Sequence, residues 1–534
     1  MSVEATPLLR ESSMFRLGNV IAWGVATALF AIVAPVMGQA PPATLPSTFF
    51  GIEVVDAQTG RGVPLVELKT VSSVRYYTDS AGWAAIDDPA LMNHLVYFGV
   101  SSHGYEYPAD GFGSRGTRVN VKAGGSIRIK IKRINIAERL YRITGEGIYR
   151  DSVLLARPVP IREPLLNAQV TGQDSNQPVV YRGKIHFFWG DTGRQSYPLG
   201  HFGMAGATAD LPEKGGLDPS LGIDLHYFTG PDGFSRPMIP EPANRLRWAD
   251  GMTVLKDGAG KEILVGRNSI MKSLGECVGM QLIIYNDSID VFDVLKEIPK
   301  DAPLQPTGHP IRVEADGASW YYYGDMGPTV RCRADLEHFK DLSTYEGFTC
   351  LPAGARYKGV DTPLDRDPSG KLVWSWKRDT QPVTQKDCDA LIRAGKMKAD
   401  EAWLRPVDVE TGKPITMGAS SVNYNPYRKR YIAIGCQVGG SNSMVGEIWY
   451  SEAEKPEGPW RWARKIVTHN HYSFYNPVQD AFFDQDGGRI IYFEGTYTGT
   501  FSRNEDFTPR YDYNQIMYRL DLSDPRLRPT NARR

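Results

Sequence analysis

One recurring pattern strongly limits what this chain can fold into. A strand rich in Tyr, Phe, Trp and Ile follows turn residues and ends at Gly, often beside an acid. The pattern occurs at KIHFFWGDT (184–192), KEILVGR (261–267), ASWYYYGDM (318–326), KRYIAIG (429–435) and RIIYFEGT (489–496), with KLVWSWKRD (371–379) as a weaker sixth. Strands with the same endings are typical of small sheets repeated around an axis. Because the spacing is irregular, the pattern predicts a β-propeller with insertions between its blades.

The segment before this region has a different pattern. Residues 49–133 contain short alternating strands separated by Gly, Asp and Ser turns, which predicts a small β-sandwich. The motifs VVDAQTGRGVPL and TDSAGWA, followed by a closing basic strand, resemble the carboxypeptidase regulatory-like, transthyretin-type sandwich. That resemblance implies an accessory domain in which Thr78–Gly82 forms a turn between strands. His94 and His103 are then expected to be structural or exposed.

The N-terminus has the features of an export signal. Arg10 and Arg16 precede an apolar run, and small residues end at Ala40, so we expect a secreted, periplasmic or cell-surface protein. A retained membrane anchor is the alternative. The predicted organisation is a signal peptide or anchor (1–40), a linker (41–48), the sandwich (49–133), a connector (134–168), the propeller (169–522) and a C-terminal tail (523–534). A helix capped by Thr384 and running to about Trp403 is expected outside the propeller.

Charge and composition narrow the class of partner. Lys+Arg and Asp+Glu are both 61, so nothing favours nucleic acid, and a membrane is a partner only if the N-terminal segment is retained. A neutral partner fits better. The abundant Gly (54), Pro (37) and Tyr (27) favour an all-β fold rich in turns. Among the five cysteines, Cys332 and Cys350 either form one bridge or stay buried free thiols.

Two longer segments point to a family. SVNYNPYRKRYIAIGCQVGG, followed by GEIWYSEAEKPEGPWRWARKIV, resembles a blade of the five-bladed propeller glycoside hydrolases of family 43 and its relatives. The resemblance covers about 169–522 and implies five blades that hydrolyse a poly- or oligosaccharide with carboxylate acid and base groups. It places a general-base Asp at about Asp174. Glu346-Gly347 is closest to the family's Glu-Gly turn, although Phe348 stands where Pro is usual.

Glycoside hydrolysis needs one protonated and one ionised carboxyl. Asp174 precedes a strand and is the first candidate for the ionised group, with an Asx-turn as its structural alternative. Asp191 and Asp325 share one position in two repeats; they mark a blade turn, or one of them tunes the pKa of the acid. Glu346 and Glu494 have aromatic neighbours and lead the general-acid candidates, ahead of Glu276 and Glu447.

Other side chains are candidates for substrate binding. Aromatic rings stack on sugars, and the polar-aromatic segment THNHYSFYNP is dense in such groups. The predicted substrate-binding residues are Trp189, Arg194, Trp374, Trp376, His471 and Tyr475. Two other functions stay open. One is a carbohydrate-binding protein without catalysis. The other is a polysaccharide lyase, which would use His and Tyr as base and acid and would neutralise a uronic acid carboxylate with arginines such as Arg194, Arg236, Arg267 and Arg331.

No cofactor is predicted. Asp484–Gly488 has the spaced acids of a calcium loop but lacks the remaining ligands, so a hairpin turn is expected, with a structural calcium ion as the alternative. Phosphate-binding, dinucleotide-binding, nucleophile-elbow and zinc-protease motifs do not occur in the sequence, which argues against those enzyme classes.

Overall fold

The structure is a computed structural model that describes residues 48–240, 245–325 and 327–527. The predicted signal or anchor and nearly all of the linker lie outside this range. Strands form 44% of the structure and helices 8%, so the all-β prediction is confirmed. Within the described residues, no helix is both long and apolar enough to cross a membrane.

The N-terminal region is a sandwich of two four-stranded sheets, with strand orders β4-β1-β8-β6 and β3-β2-β5-β7. Its strands are β1 (Phe50–Asp56), β2 (Glu67–Thr70), β3 (Arg75–Tyr77), β4 (Trp83–Ile86), β5 (Leu95–Ser101), β6 (Tyr105–Glu106), β7 (Gly116–Asn120) and β8 (Ser126–Arg133). Alternating residues such as Ile52, Leu68 and Phe98 fill the core. The predicted turn is present, because the Asp79 carboxylate accepts hydrogen bonds from the backbone N–H groups of Ala81 and Trp83.

The predicted connector is partly wrong. It contains a strand, β9 (Glu138–Arg142), and a short helix, α1 (Arg150–Leu154). β9 pairs antiparallel with the last strand of the chain and so belongs to the propeller. Its partner lies so far along the sequence that local patterns do not reveal the pairing.

The remaining strands follow in chain order. Up to residue 227 they are β10 (Val170–Gln173), β11 (Val179–Tyr181), β12 (Lys184–Trp189), β13 (Thr192–Arg194), β14 (Tyr197–His201), β15 (Ala205–Asp210) and β16 (His226–Tyr227). Up to residue 378 they are β17 (Leu246–Lys256), β18 (Glu262–Ser273), β19 (Glu276–Asn286), β20 (Val291–Ile298), β21 (Ile311–Ala315), β22 (Ala318–Tyr323), β23 (Val330–Arg333), β24 (Glu346–Thr349) and β25 (Ser375–Arg378). The last are β26 (Leu404–Asp408), β27 (Met417–Asn425), β28 (Arg430–Gln437), β29 (Ile448–Ala453), β30 (Trp460–Val467), β31 (Ser473–Gln479), β32 (Ile490–Thr498) and β33 (Asn514–Asp521).

These strands form five propeller sheets within the described residues. In order around the ring, sheet 1 is β11-β12-β15-β16, sheet 2 is β17-β18-β19-β20, sheet 3 is β21-β22-β23-β24-β25, sheet 4 is β27-β28-β29-β30-β26 and sheet 5 is β31-β32-β33-β9. Strands β10, β13 and β14 form a separate small sheet. The five main repeat segments become β12, β18, β22, β28 and β32, the second strand of each propeller sheet. The weaker sixth instead gives β25, the outer edge of sheet 3.

Five apolar layers, one between each pair of neighbouring sheets, close the ring. One layer joins sheets 1 and 2, and others join sheets 2 and 3, 3 and 4, and 4 and 5. The fifth joins sheet 5 to sheet 1 through residues such as Tyr492, Met517 and Phe187. Burial of apolar surface in these layers is the main force that holds the sheets together.

Helices are few and lie in the connections. They are α1, α2 (Leu336–Lys340) and α3 (Gln385–Arg393), with 3-10 turns at Pro212–Lys214, Leu342–Thr344, Ala399–Glu401, Ala481–Phe483, Asp486–Gly488 and Pro525–Leu527. Thr384 caps α3 as predicted, in a capping box with Asp387. The helix ends well before the expected Trp403, because Gly395 follows it with a left-handed backbone, φ 69°.

All five cysteines are free thiols, and four of them are buried. Of the two alternatives for Cys332 and Cys350, the structure therefore has free thiols. No disulfide among the described residues staples the sandwich or the propeller.

Candidate active site

The inner strands of the five sheets surround the propeller axis. Residues from all five, β11, β17, β21, β27 and β31, line an axial cavity of about 350 Å³, and Asp174, Asp191 and Tyr475 are not among its lining residues. Each second strand runs antiparallel to its inner strand, so it ends at the face where the inner strand begins. Asp174 before β11, Asp191 after β12 and Tyr475 early in β31 therefore lie at this one face, here called the mouth.

Asp174 accepts several hydrogen bonds at the mouth. The Tyr475 hydroxyl donates to its Oδ2 at 2.9 Å. The Tyr513 and Ser175 hydroxyls also donate, as does the backbone N–H of Asp191. Burial raises the pKa of Asp174, while these donors favour the ionised form. The donors come from three separate stretches of chain. They hold the carboxylate in one place and offset part of the cost of burying its charge.

Asp191 lies beside Asp174 and has a different environment. Burial and the charge of Asp174 raise the pKa of Asp191 to about 7, and a hydrogen bond from the Trp248 side chain opposes the shift. One oxygen of Asp191 is buried without a hydrogen-bond partner among the described residues. The two carboxyls, here called the acid pair, therefore differ as acid–base catalysis requires: one has many donors, and the other holds its proton near neutral pH.

The hairpin between these acids brings them together. The N–H of Gly190 donates to the backbone oxygen of Asp174 at 2.8 Å. A Cβ on Gly190 would lie 2.4 Å from Asp174 Oδ1, closer than atoms can approach. Glycine at this position therefore lets the Gly-Asp end of β12 pack against Asp174. The same feature explains why Asp191 is more than a turn residue in this sheet.

Several residues around the acid pair have a strained backbone. Ser175, His471, Asn476, Phe501 and Tyr513 all have positive φ, between 48° and 66°. Such conformations cost about 1 to 3 kcal/mol each and persist only where surrounding contacts enforce them. One such contact runs from Asn476 Nδ2 to Ser175 Oγ at 2.7 Å. The strain fits a site whose geometry is fixed by its surroundings.

Glu494 lies behind the mouth and is fully buried, with 0% of its surface exposed. Asn176 donates a hydrogen bond to it, and burial raises its pKa to about 8. Asp480 is equally buried, and burial followed by the charge of Glu494 raises its pKa far above the ordinary range. A substrate cannot reach Glu494 directly, so its expected role as general acid does not fit this position.

Asp325 and Asp191 occupy equivalent positions but have different partners. Asp325 lies beside Asp250, whose carboxylate pairs with Arg267 at 3.0 Å. Partial desolvation by the surrounding chain and the charge of Asp250 raise the pKa of Asp325 to about 6, and part of the side chain stays exposed. Trp248 and Asp250 lie two residues apart on β17, so they project to the same side of that strand. Asp325 is therefore separate from the acid pair and has its own charged neighbours in sheets 2 and 3.

The structure keeps Glu346 away from the acid pair. It begins β24, the fourth strand of sheet 3, and its carboxylate accepts two hydrogen bonds from Arg331 at 2.7 and 2.8 Å. Trp374 and Trp376 both pack on Phe348 in the same outer part of that sheet. Glu346 is thus half of an ion pair, and the two tryptophans do not form the expected sugar subsite at the mouth.

Two further general-acid candidates also have structural partners. Glu276 is exposed at the start of β19 and pairs with Lys272 at 3.2 Å. Glu447 is buried and pairs with Lys465 at 2.6 Å. Neither belongs to the acid pair.

The expected substrate-binding residues divide into three groups. Trp189 is 0% exposed and stacks on Phe187, so it is core and cannot touch a sugar. Arg194 pairs with Asp232 at 2.7 Å. His471 is exposed near the mouth, and Tyr475 contacts Asp174 directly.

Sequence reasoning did not place Tyr513 or Trp248 beside the acid pair. Both contact the acid pair, but neither lies in a recurring motif. Tyr513 directly precedes β33, and Trp248 is an ordinary aromatic residue in a strand. No local signal in the sequence distinguishes them from core aromatics.

Metal binding has no defined site in this part of the chain. The described residues contain no group of three or more His, Cys, Asp or Glu side chains arranged to hold a metal ion. In the segment 484–488, where a hairpin turn is expected and a calcium ion is the alternative, Asp486 pairs with Arg489. His469 is buried, with its ring nitrogens next to the Gly446 carbonyl and the Tyr518 hydroxyl.

No protein-family model matches the chain. No curated protein matches its sequence. Among solved structures, it is similar to an exo-1,5-α-L-arabinanase from a bovine ruminal metagenomic library, with 11% identity over 66% of this chain and 94% of that chain and a TM-score of 0.31. It is also similar to a GH43_1 enzyme from Xanthomonas citri, with 11% identity, coverage of 67% and 88% and a TM-score of 0.32. A third is an α-L-arabinofuranosidase from Fusarium graminearum, with 12% identity, coverage of 73% and 99% and a TM-score of 0.33.

Proposed function

We propose that this protein is a glycoside hydrolase that acts on a poly- or oligosaccharide at the mouth of its propeller, with Asp191 as general acid and Asp174 as the ionised carboxylate. The observation that carries the proposal is the acid pair. Two adjacent carboxyls differ in environment, and one has a pKa of about 7. Export through the segment before residue 41 remains a prediction.

The proposed reaction divides the work between the two carboxyls. Asp191 gives its proton to the glycosidic oxygen as the bond to the anomeric carbon breaks. Asp174 removes a proton from the water that attacks this carbon, or attacks the carbon itself and is then released by water. The first route leaves Asp174 protonated and Asp191 ionised, and proton exchange with solvent resets them. In the second route Asp191 takes the proton of the water that releases the sugar from Asp174, so each route consumes one water molecule. Tyr475 and Tyr513 would hold Asp174 in position and favour its ionised form.

The lyase alternative needs free cations to neutralise a uronic acid carboxylate. The arginines considered for that role already have partners in this structure. Arg194 pairs with Asp232, Arg267 with Asp250 and Arg331 with Glu346. Arg236 donates to the backbone oxygens of Ile289 and Asp290. Hydrolysis therefore fits the arrangement of charges at the mouth better than elimination does.

The test is a panel of glycans incubated with the full chain and assayed for new reducing ends and for absorbance near 235 nm. Hydrolysis gives the first signal alone, while elimination gives both. Asp174→Asn and Asp191→Asn should each lower the hydrolysis rate by about 100-fold or more. Glycan binding without either signal would favour a binding protein.

Asp325→Asn is the matched control, because Asp325 ends the equivalent strand of sheet 3. If the acid pair is catalytic, this variant should keep its rate within about tenfold of the native protein. Equal losses in Asp191→Asn and Asp325→Asn would mean that the Gly-Asp ending supports blade structure, and would refute the assignment of Asp191.

A further inference from the structure

The loop between β32 and β33, residues 499–513, has an unusual backbone. Four of its non-glycine residues have positive φ: Phe501 at 66°, Arg503 at 62°, Arg510 at 62° and Tyr513 at 58°. L-residues seldom adopt this conformation unless neighbouring contacts enforce it. Contacts with the surroundings therefore help to hold this conformation, together with bonds inside the loop such as that from the Gly499 N–H to Asp512 Oδ1 at 2.6 Å.

One side of this loop reaches the acid pair. The Tyr513 hydroxyl donates to Asp174, and the Tyr513 carbonyl accepts from the Gln173 N–H at 2.8 Å. The Phe501 ring is 58% exposed and packs edge-on against Tyr475, with 5.9 Å between ring centroids. Both tyrosines that donate to Asp174 thus depend on the placement of this loop.

The other side of the loop is fastened to the N-terminal sandwich. Tyr511 is 3% exposed, accepts a hydrogen bond from the Leu65 N–H at 3.2 Å and donates to the Thr78 carbonyl. Asp506 pairs with Arg75 of β3 at 3.1 Å. Leu65 and Thr78 both belong to the sandwich, so it contacts the loop at two separate points.

We propose that the sandwich is a positioning element of the catalytic mouth, acting through Tyr511 on the loop that carries Tyr513. The inference rests on the proposed function for its catalytic consequence. Tyr511 and Tyr513 are two residues apart. One is bound to the sandwich and the other to Asp174, so a shift of the first moves the second. The sandwich would thus help to position a residue at the acid pair, which an independent accessory domain does not do.

Tyr511→Phe tests this directly. The variant removes one hydroxyl and its contacts with the Leu65 N–H and the Thr78 carbonyl, which still bond to each other at 3.1 Å. Loosening of the loop should lower kcat about tenfold with a smaller change in KM, because a hydrogen bond to an ionised group is worth about that factor. Since the Tyr513 donor favours ionised Asp174, the acid limb of the pH–rate profile should also move to higher pH.

Thr59→Val is the matched control. Thr59 Oγ1 also links the sandwich to the propeller, by donating to Glu138 at 2.7 Å, but it does so at β9, away from the loop. Asp506→Asn is the second loop variant; it breaks an exposed ion pair and leaves the core intact. Hydrogen exchange of peptides covering 499–513 and 171–177 should increase in Tyr511→Phe, increase less in Asp506→Asn, and stay native in Thr59→Val.

Unchanged exchange in 499–513 and an unchanged pH profile in both loop variants would overturn the proposal. So would equal effects from Thr59→Val, which would mean that the interface only stabilises the fold. If the native chain cleaves no glycan, the proposed function fails, but the exchange data still decide whether the sandwich holds the loop and the Asp174 segment. The two failures are therefore distinguishable.

Discussion

The buried carboxyl of Glu494 makes a quantitative prediction about stability and pH. Its pKa is about 8 in the folded protein, raised by burial, against an ordinary value of 4.5. Between these two values the unfolded chain releases the proton while the folded protein keeps it. Stability is thus fully present below about pH 4.5 and is lost as pH rises, by about 1.4 kcal/mol per pH unit. By pH 8 the loss from this one group is on the order of 4 to 5 kcal/mol.

Glu494→Gln removes the titration and keeps the shape of the side chain. Its amide can donate to Asn176 Oδ1, which is buried without a hydrogen-bond partner among the described residues. The variant should therefore gain stability relative to the native protein as pH rises from 5 to 8, by roughly 4 kcal/mol in total. Urea unfolding followed by Trp fluorescence at each pH unit measures this difference.

The control is Glu276→Gln, which makes the same substitution at an exposed side chain. Parallel pH curves for the native protein and Glu494→Gln would refute the reasoning. Such a result would mean that Glu494 is ionised when folded and that the neighbouring Asp480 holds the proton between them. Either outcome shows whether Glu494 is ionised in the layer between sheets 5 and 1.

Other predictions concern single side chains. Tyr475→Phe removes a donor to ionised Asp174 and should raise its pKa, moving the acid limb of the pH–rate profile to higher pH; an unmoved limb would exclude this contact as a tuning group. Trp189→Phe should lower the free energy of unfolding by about 1 to 3 kcal/mol and leave KM unchanged, whereas a raised KM would point to sugar contact. Glu346→Gln should keep the cleavage rate within about twofold in the glycan assay, and a large loss would restore it as a catalytic candidate. Leu140→Ala, in fully buried β9, should cost about 2 to 5 kcal/mol in urea unfolding, and a neutral result would mean that β9 contributes little to ring closure.

The repeat pattern in the sequence predicts much of the fold. Aromatic strands that end in Gly become the second strands of all five propeller sheets, because that position is buried on both sides by neighbouring sheets. The sandwich follows from its short alternating strands and turns. These signals are local, so sequence alone reveals them.

The acid pair was only half predictable. Asp174 stood out because it precedes the first inner strand, but the importance of Asp191 depends on the fold. The two carboxyls meet only after the hairpin closes over Gly190 and after Tyr475 and Tyr513 arrive from the far end of the chain. The same repeat ending at Asp325 has other neighbours, so the motif does not determine the role. At Glu494 the aromatic neighbours predict a poised acid, but the side chain is fully buried.

The closure of the ring by β9 also sets an order of events. The Gln515 N–H bonds to Thr144 Oγ1 across 371 residues, and β33 pairs with β9 immediately beside it. A ribosome makes β9 long before its partner, so this strand must wait unpaired while four sheets are synthesised. The final strand then joins both ends of the circle, and the acid pair acquires Tyr513 in the same step. During its synthesis the chain therefore completes its propeller and its mouth together, at the very end.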